Sequence, residues 1–246
     1  MIELTVLGCC GSYAAPGGAC SGYLVQGGGV NLWLDCGPGT LANLQEHIDL
    51  DDLDGILITH AHPDHWVDLL PFHNVVRYIK KRSGLPVWSP RRVRELVEAV
   101  NGDLTHAIDW HVIDESSHVE LGGLRCSFSR TDHGPETLAV RVDDVAGGSL
   151  AYTADTGPAW SLSQLGRGLD AALVEATFPL DQEGRFQHLS GRQAGLQATA
   201  AGVGRLLLTH LQPGIDPDRQ VADARTAFTG PVEAVTTNTT YEIGPI

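Results

Sequence analysis

The sequence predicts an α/β protein made of two β-sheets packed together with helices outside. Short apolar segments bounded by glycine and proline recur along its 246 residues, which include 29 Gly and 13 Pro, and such segments read as strands. Stretches with helical spacing of apolar residues separate them in both halves, and strands mixed with helices on an even beat suit layered sheets. No linker, charge block or low-complexity tract interrupts the chain, so residues 1–246 read as one domain.

In order, strands are predicted at 2–7, 22–26 and 30–34, set off by Gly8, Gly11, Gly27 to Gly29 and Gly37-Pro38-Gly39. A short helix at 40–47 carries Leu41 and Leu44 three apart, and 54–59 is a buried-type strand with successive apolar residues. Helices follow at 69–81 and 92–100, the second after Pro90 with Val93, Leu96, Val97 and Val100 on one face. The second half predicts strands at 119–121, 124–129, 138–142, 149–153, 171–175 and 205–209, joined in part by Gly122-Gly123 and Gly147-Gly148. Helices are expected at 159–165, 190–201 and 218–227, and a last strand pair at 232–236 and 240–243.

Composition narrows the function. Lys and Arg total 16 against 30 Asp and Glu, a net charge of −14. Surface-wide binding to nucleic acid or anionic lipid needs clustered cations and is disfavoured. An anionic substrate held locally by metal ions remains compatible. No apolar run is long enough to span a bilayer, and the opening MIELTVLGCC lacks a basic stretch before its apolar residues, so it does not read as a secretory signal. Cys9, Cys10, Cys20, Cys36 and Cys126 form no CxxC pair or repeated spacing, which fits small buried residues in a reducing, cytoplasmic setting better than a disulfide framework or a cysteine zinc site.

The chemistry concentrates in Thr59-His60-Ala61-His62-Pro63-Asp64-His65, directly after the strand at 54–59. Imidazole and carboxylate are the zinc ligands of choice where thiolates are absent. His60 and His62, two apart, project to one side of extended backbone. Pro63 is expected to block a helix and leave a loop in which Asp64 and His65 turn toward a second position. Further candidates stand where later strands end: His133 after 124–129, Asp155 after 149–153 and His210 after 205–209. Loops held by a rigid scaffold are where sites are usually built.

HAHPDH, His133, TADTG around Asp155 and LLLTH ending at His210, in this order over nearly the whole chain, resemble the metallo-β-lactamase-fold hydrolase superfamily. The resemblance implies a four-layer αββα sandwich with two divalent metal ions at one edge. It gives His60, His62 and His133 to one ion and Asp64, His65 and His210 to the other, with Asp155 bridging. Zinc is the expected metal, with manganese or iron also suited to such ligands. Asp35 is expected to steady the metal loop by hydrogen bonds.

Gly8-Cys9-Cys10-Gly11-Ser12, Ser21-Gly22-Tyr23-Leu24 and Leu34-Asp35-Cys36-Gly37-Pro38-Gly39 resemble the N-terminal signature of ribonuclease Z and related phosphodiesterases. His188-Leu189-Ser190 resembles the element these enzymes place beside the leaving group. His188 would then protonate the departing oxygen, while Asp64 would orient a metal-bridging hydroxide and accept its proton. The interval from His133 to Asp155 is too short for the tRNA-binding arm of ribonuclease Z. Leu211-Gln212-Pro213-Gly214-Ile215-Asp216 replaces the Ser-Arg-Tyr-like sequence expected after the last His, and Asp68 stands where many relatives have glycine. These departures weigh against tRNA as partner and favour a small phosphodiester, with the THLxPxxD ending resembling bacterial cyclic-nucleotide hydrolases. RNA 3′-end processing, ester, thioester or lactone hydrolysis on the same site, and a non-catalytic nucleotide- or metal-binding module are the alternatives. The oligomeric state stays open, a homodimer being common among relatives of this kind. His47, His73, His106, His111 and His118 have no partner spacing and are expected on the surface, Asp132 is expected to be a loop residue, and Lys80-Lys81-Arg82 and Arg91-Arg92 are basic spots at helix ends.

Overall fold

The computed structural model describes residues 1–104 and 106–245. Among them, the strands form two seven-stranded sheets. The first half supplies β1 (Ile2–Gly8), β2 (Gly22–Gly27), β3 (Val30–Cys36), β4 (Gly55–Leu57), β5 (Leu85–Ser89) and β6 (Ile108–Val112). The second supplies β7 (His118–Leu121), β8 (Leu124–Arg130), β9 (Leu138–Asp144), β10 (Ser149–Tyr152), β11 (Ala171–Glu175), β12 (Arg205–Thr209) and β13 (Val232–Ala234). The last strand, β14 (Thr240–Ile243), crosses back to the first sheet. The sheet orders are β14-β1-β2-β3-β4-β5-β6 and β13-β12-β11-β10-β9-β8-β7. Each sheet has three antiparallel pairings at one end and three parallel pairings at the other.

Alternation along the strands explains the layering. Ile2, Leu4 and Val6 of β1 meet Leu138, Val140 and Val142 of β9 in a core between the sheets. Residues facing the other way, such as Leu7, Leu24 and Trp33, pack under α1 (Thr40–Leu44), α2 (Leu69–Asn74) and α3 (Arg91–Asn101). Ala172, Val174, Leu206 and Leu208 do the same under α4 (Gly191–Ala201) and α5 (Pro217–Arg225). The four-layer αββα sandwich follows from strands buried on both faces.

The structure departs from the sequence reading at several elements. β5 and β6 lie where no strand is predicted, because Pro86 interrupts the strand pattern of β5 and β6 is half exposed. The segment expected to be helical at 159–165 narrows to a single 3₁₀ turn, Leu162–Leu165. Trp160 is buried there and its indole N–H donates to the Ser129 hydroxyl, which holds the chain off a helical course. The helix at 69–81 widens after Asn74 into a π-type turn, Val75–Lys80. Pro63 opens a one-turn 3₁₀ helix, Pro63–His65, at the position where a missing N–H costs nothing. His73 is buried rather than exposed, with Nδ1 against the Asn101 amide. No helix among the described residues is long and apolar enough to cross a membrane.

Candidate metal centre

The carboxyl ends of the strands converge at one edge of the sandwich, which is where open α/β sheets build sites. β4 stops at Leu57 because the chain is diverted: the Thr59 N–H donates to Asp35 Oδ1 at 2.8 Å and its hydroxyl to Oδ2 at 2.9 Å. This turns His60 inward. Asp155 follows β10, His210 follows β12, and His133 follows β8. Asp35, Ala154 and His210 hold left-handed backbone at φ 57°, 49° and 55°, a conformation that costs non-glycine residues energy and clusters at sites.

Hydrogen bonds to one ring nitrogen fix where the other points. His60 Nδ1 lies 3.1 Å from the Thr59 hydroxyl, whose own proton is committed to Asp35. His65 Nδ1 donates to Asp35 Oδ2 at 2.8 Å, His133 Nδ1 to the Gln187 carbonyl at 3.1 Å, and His210 Nδ1 to the Thr177 hydroxyl at 2.8 Å. The opposite nitrogens of these four rings therefore face a shared space. His62 Nδ1 joins them, 3.2 Å from His60 Nε2 and 3.1 Å from His133 Nε2, while His65 Nε2 and His210 Nε2 stand 3.3 Å apart. Ring nitrogens at such separations need a proton or a metal cation among them.

Asp155 joins two groups of donors. Its Oδ2 is 3.5 Å from His60 Nε2 and 3.7 Å from His133 Nε2, and its Oδ1 is 3.3 Å from both His65 Nε2 and His210 Nε2. Asp64 Oδ2 completes the second group at 3.2 Å from His210 and also accepts the Ser12 N–H at 2.8 Å. Asp155 Oδ1 is buried without a hydrogen-bond partner, an arrangement that native structures avoid unless an ion or water satisfies the atom. The donor set fits divalent metal ions.

The electrostatics agree. Burial, helped by His65, depresses His60 to about 4, and burial with His133 lowers His62, so both rings stay neutral, the form that ligates. Burial pushes Asp155 up, but His210, His65 and His60 outweigh it and hold the carboxyl well below its ordinary range. Asp64 is likewise raised by burial and lowered further by His65 and His210. Burial works against a charged His65, yet Asp155, Asp64 and Asp35 drive its pKa well above the imidazole value. The centre thus concentrates ionised carboxylates where a cation is favoured.

His188 sits on the rim, its ring stacked 5.7 Å from that of His210 and edge-on 4.9 Å from that of His133. Its Nδ1 donates to Glu175 Oε1 at 3.0 Å. Burial opposes protonation, but Glu175 outweighs it and pushes the pKa up to about 9. Glu175 ends β11, is fully buried, and also accepts the N–H groups of Thr156 and Leu189 and the Thr177 hydroxyl. Because Thr177 in turn accepts from His210, one carboxylate orients both rings. Ser190 caps α4 with a capping box to Gln193.

All seven residues expected to ligate metal, and His188, come together in this space. Sequence reasoning did not single out Glu175 and Thr177. The signal was a lone glutamate closing the apolar strand AALVE. Asp35 takes the supporting place expected of it. Asp132 lies in a loop, where its carboxylate accepts from the Gln187 amide and the Ala159 N–H. Asp68 serves the fold: its carboxylate accepts the Leu41 N–H at the start of α1 at 2.8 Å. The basic spot at residues 80–82 is largely engaged too, with Lys80 on Asp49 and Asp51 and Arg82 on the carbonyls of Leu50, Asp51 and Leu53. Gly11 lies so close to His210 that a Cβ there would stand 2.5 Å from the His210 carbonyl oxygen and 2.8 Å from its Nδ1.

Two mixed sheets enclosed by helices, with a His/Asp cluster at the strand ends, define a metallo-hydrolase of the αββα class. The family model described as a beta-lactamase superfamily domain matches residues 30–211. The chain belongs to this superfamily, in its ribonuclease Z-like branch. It is 35% identical over 253 residues to an uncharacterized protein of Mycobacterium tuberculosis, covering 98% of this chain and 92% of that one. Ribonuclease Z of Mycobacterium bovis is 30% identical over 271 residues, covering 95% of both. The crystal structure of the metallo-beta-lactamase fold protein YhfI of Bacillus subtilis superposes with a TM-score of 0.89 at 27% identity, over 98% of each chain.

Proposed function

We propose that this metallo-hydrolase is a phosphodiesterase for small phosphodiesters, cyclic nucleotides above all, acting as one domain whose site draws on both sheets. The observation that carries the reading is His188 held by buried Glu175 beside Asp155 and His210. This arrangement suits a proton donor next to a metal centre. His60, His62, His133 and Asp155 would hold one divalent ion, and Asp64, His65, His210 and Asp155 a second. When bound, such ions activate water and neutralise charge on phosphoryl oxygens; zinc suits the donors, and manganese or iron also match them.

The chain's own groups do the rest. Asp64, fixed by the Ser12 N–H, orients the attacking water and takes up its proton. His188 binds the leaving ribose oxygen through Nε2 and delivers a proton to it, its Nδ1–H being anchored on Glu175. Between His133 and Asp155, the interval where the resemblance would place a tRNA-binding arm, the chain forms β9, a turn and β10. That supports a small substrate, and kinship with ribonuclease Z supports phosphodiester chemistry.

The test combines metal analysis with a panel of cyclic AMP, bis-p-nitrophenyl phosphate, precursor tRNA, a lactone and a β-lactam. Turnover of the first two is expected. Asp64→Ala should lose turnover and metal together, whereas His188→Ala should lose about 10²–10⁴-fold in kcat with metal retained. Metal-replete protein that cleaves the lactone but neither small phosphodiester would overturn the proposal, and full activity in His188→Ala would remove its role.

A further inference from the structure

Beside His188 the surface carries an aromatic pair that the chemistry above does not use. Phe178 and Phe186 stack with ring centroids 4.7 Å apart at 29°, and Phe178 meets the His188 ring edge-on at 5.6 Å. Phe186 is 52% exposed, and Leu180 in the same loop is 40% exposed. An exposed apolar group in a loose loop would mean little, but this loop is tied down. The Phe178 N–H donates to the Leu189 carbonyl at 3.2 Å, closing the loop at its base. Glu183 within it binds the Ser190 hydroxyl and the Arg192 guanidinium, and the Gln187 carbonyl receives His133 Nδ1. The fold therefore holds an apolar ring face open to solvent at the edge of the centre.

We propose that Phe186, backed by Phe178, is the stacking platform for the base of a nucleotide substrate. The inference rests on the phosphodiesterase reading and adds the source of its selectivity. The platform lies two ring contacts from the proton donor, so a single substrate can reach both. Every base offers a π-face, and stacking on an aromatic side chain is tolerant of base identity. Selection is thus for a planar aromatic group and not for one particular base. Continuity with His188 sets this surface apart from the scattered apolar residues that any protein exposes.

The experiment measures kcat and KM for cyclic AMP and for a base-free ribose cyclic phosphate in the wild type, Phe186→Ala and Phe186→Trp. Phe186→Ala should shrink the KM preference for the nucleotide on the order of tenfold with kcat on the nucleotide little changed, and Phe186→Trp should restore it. Equal KM changes on both substrates, or none, would overturn the platform. Calorimetric binding of adenosine 5′-monophosphate to metal-loaded protein supplies a readout without turnover. Should no phosphodiester be hydrolysed, the phosphodiesterase reading falls, and the platform is judged by binding alone: weaker binding in Phe186→Ala upholds it, and unchanged binding overturns it.

Discussion

Asp35 in the first sheet and Glu175 in the second are both fully buried carboxylates at strand ends, and each gathers hydrogen bonds around one histidine. Asp35 accepts from the Thr59 backbone and hydroxyl, the Tyr152 hydroxyl and His65. Glu175 accepts from the backbones of Thr156 and Leu189, the Thr177 hydroxyl and His188. The difference lies beyond the ring. His65 is wholly enclosed and aims Nε2 at Asp155 and His210, while the His188 side chain is 16% exposed at the rim. The same device orients an enclosed ring in one sheet and a solvent-facing ring in the other, so location relative to solvent decides what the histidine held by a buried carboxylate can reach.

The comparison is broken most severely at Asp35. Asp35→Ala leaves three donors and a ring unpaired, and each buried group left unsatisfied costs about 1–3 kcal/mol. A large fall in melting temperature is expected, with metal affinity down on the order of 10–100-fold by titration. Glu175→Gln should be milder: metal content near wild type, kcat reduced about tenfold or more, and the pH profile of kcat altered. If both variants lost metal equally, the two carboxylates would serve one purpose and the contrast would fail.

A smaller effect concerns pH in metal-stripped protein. Folding raises His188 from 6.5 to about 9, so the folded chain binds this proton more tightly than the unfolded one. The resulting stability is complete below about pH 6.5 and is lost as pH rises through about 9. Melting curves of wild type and His188→Ala should converge across that window, and parallel curves would refute the assignment. The smallest expected change is Asp68→Ala, which removes the acceptor for the Leu41 N–H and should cost ~1 kcal/mol with kcat/KM retained.

The convergence of the candidate cluster was legible because HAHPDH packs its information into six consecutive residues, and because single polar residues closing apolar strands mark the C-terminal edge of a sheet. Asp35 could be read as support on the same grounds. Glu175 escaped, since its partners lie at Thr156, Thr177, His188 and Leu189 and only the packing of β10, β11 and the loop after them unites them. His73 looked like any lone histidine, yet the seam between α2 and α3 encloses it. Phe178 and Phe186 carry no periodic pattern, so their stacking beside His188 is a property of the closed loop alone.

The close approach of Gly11 to His210 couples the first loop of the chain to its last donor. The Gly11 N–H donates to the Leu211 carbonyl and the Leu211 N–H to that of Cys9, so the two ends of the primary structure seal the centre by mutual contact. During folding, a usable centre must then await the docking of one sheet on the other. A fragment stopping short of β12 would lack His210, so the complete cluster cannot assemble until the strand that carries it has been made and docked.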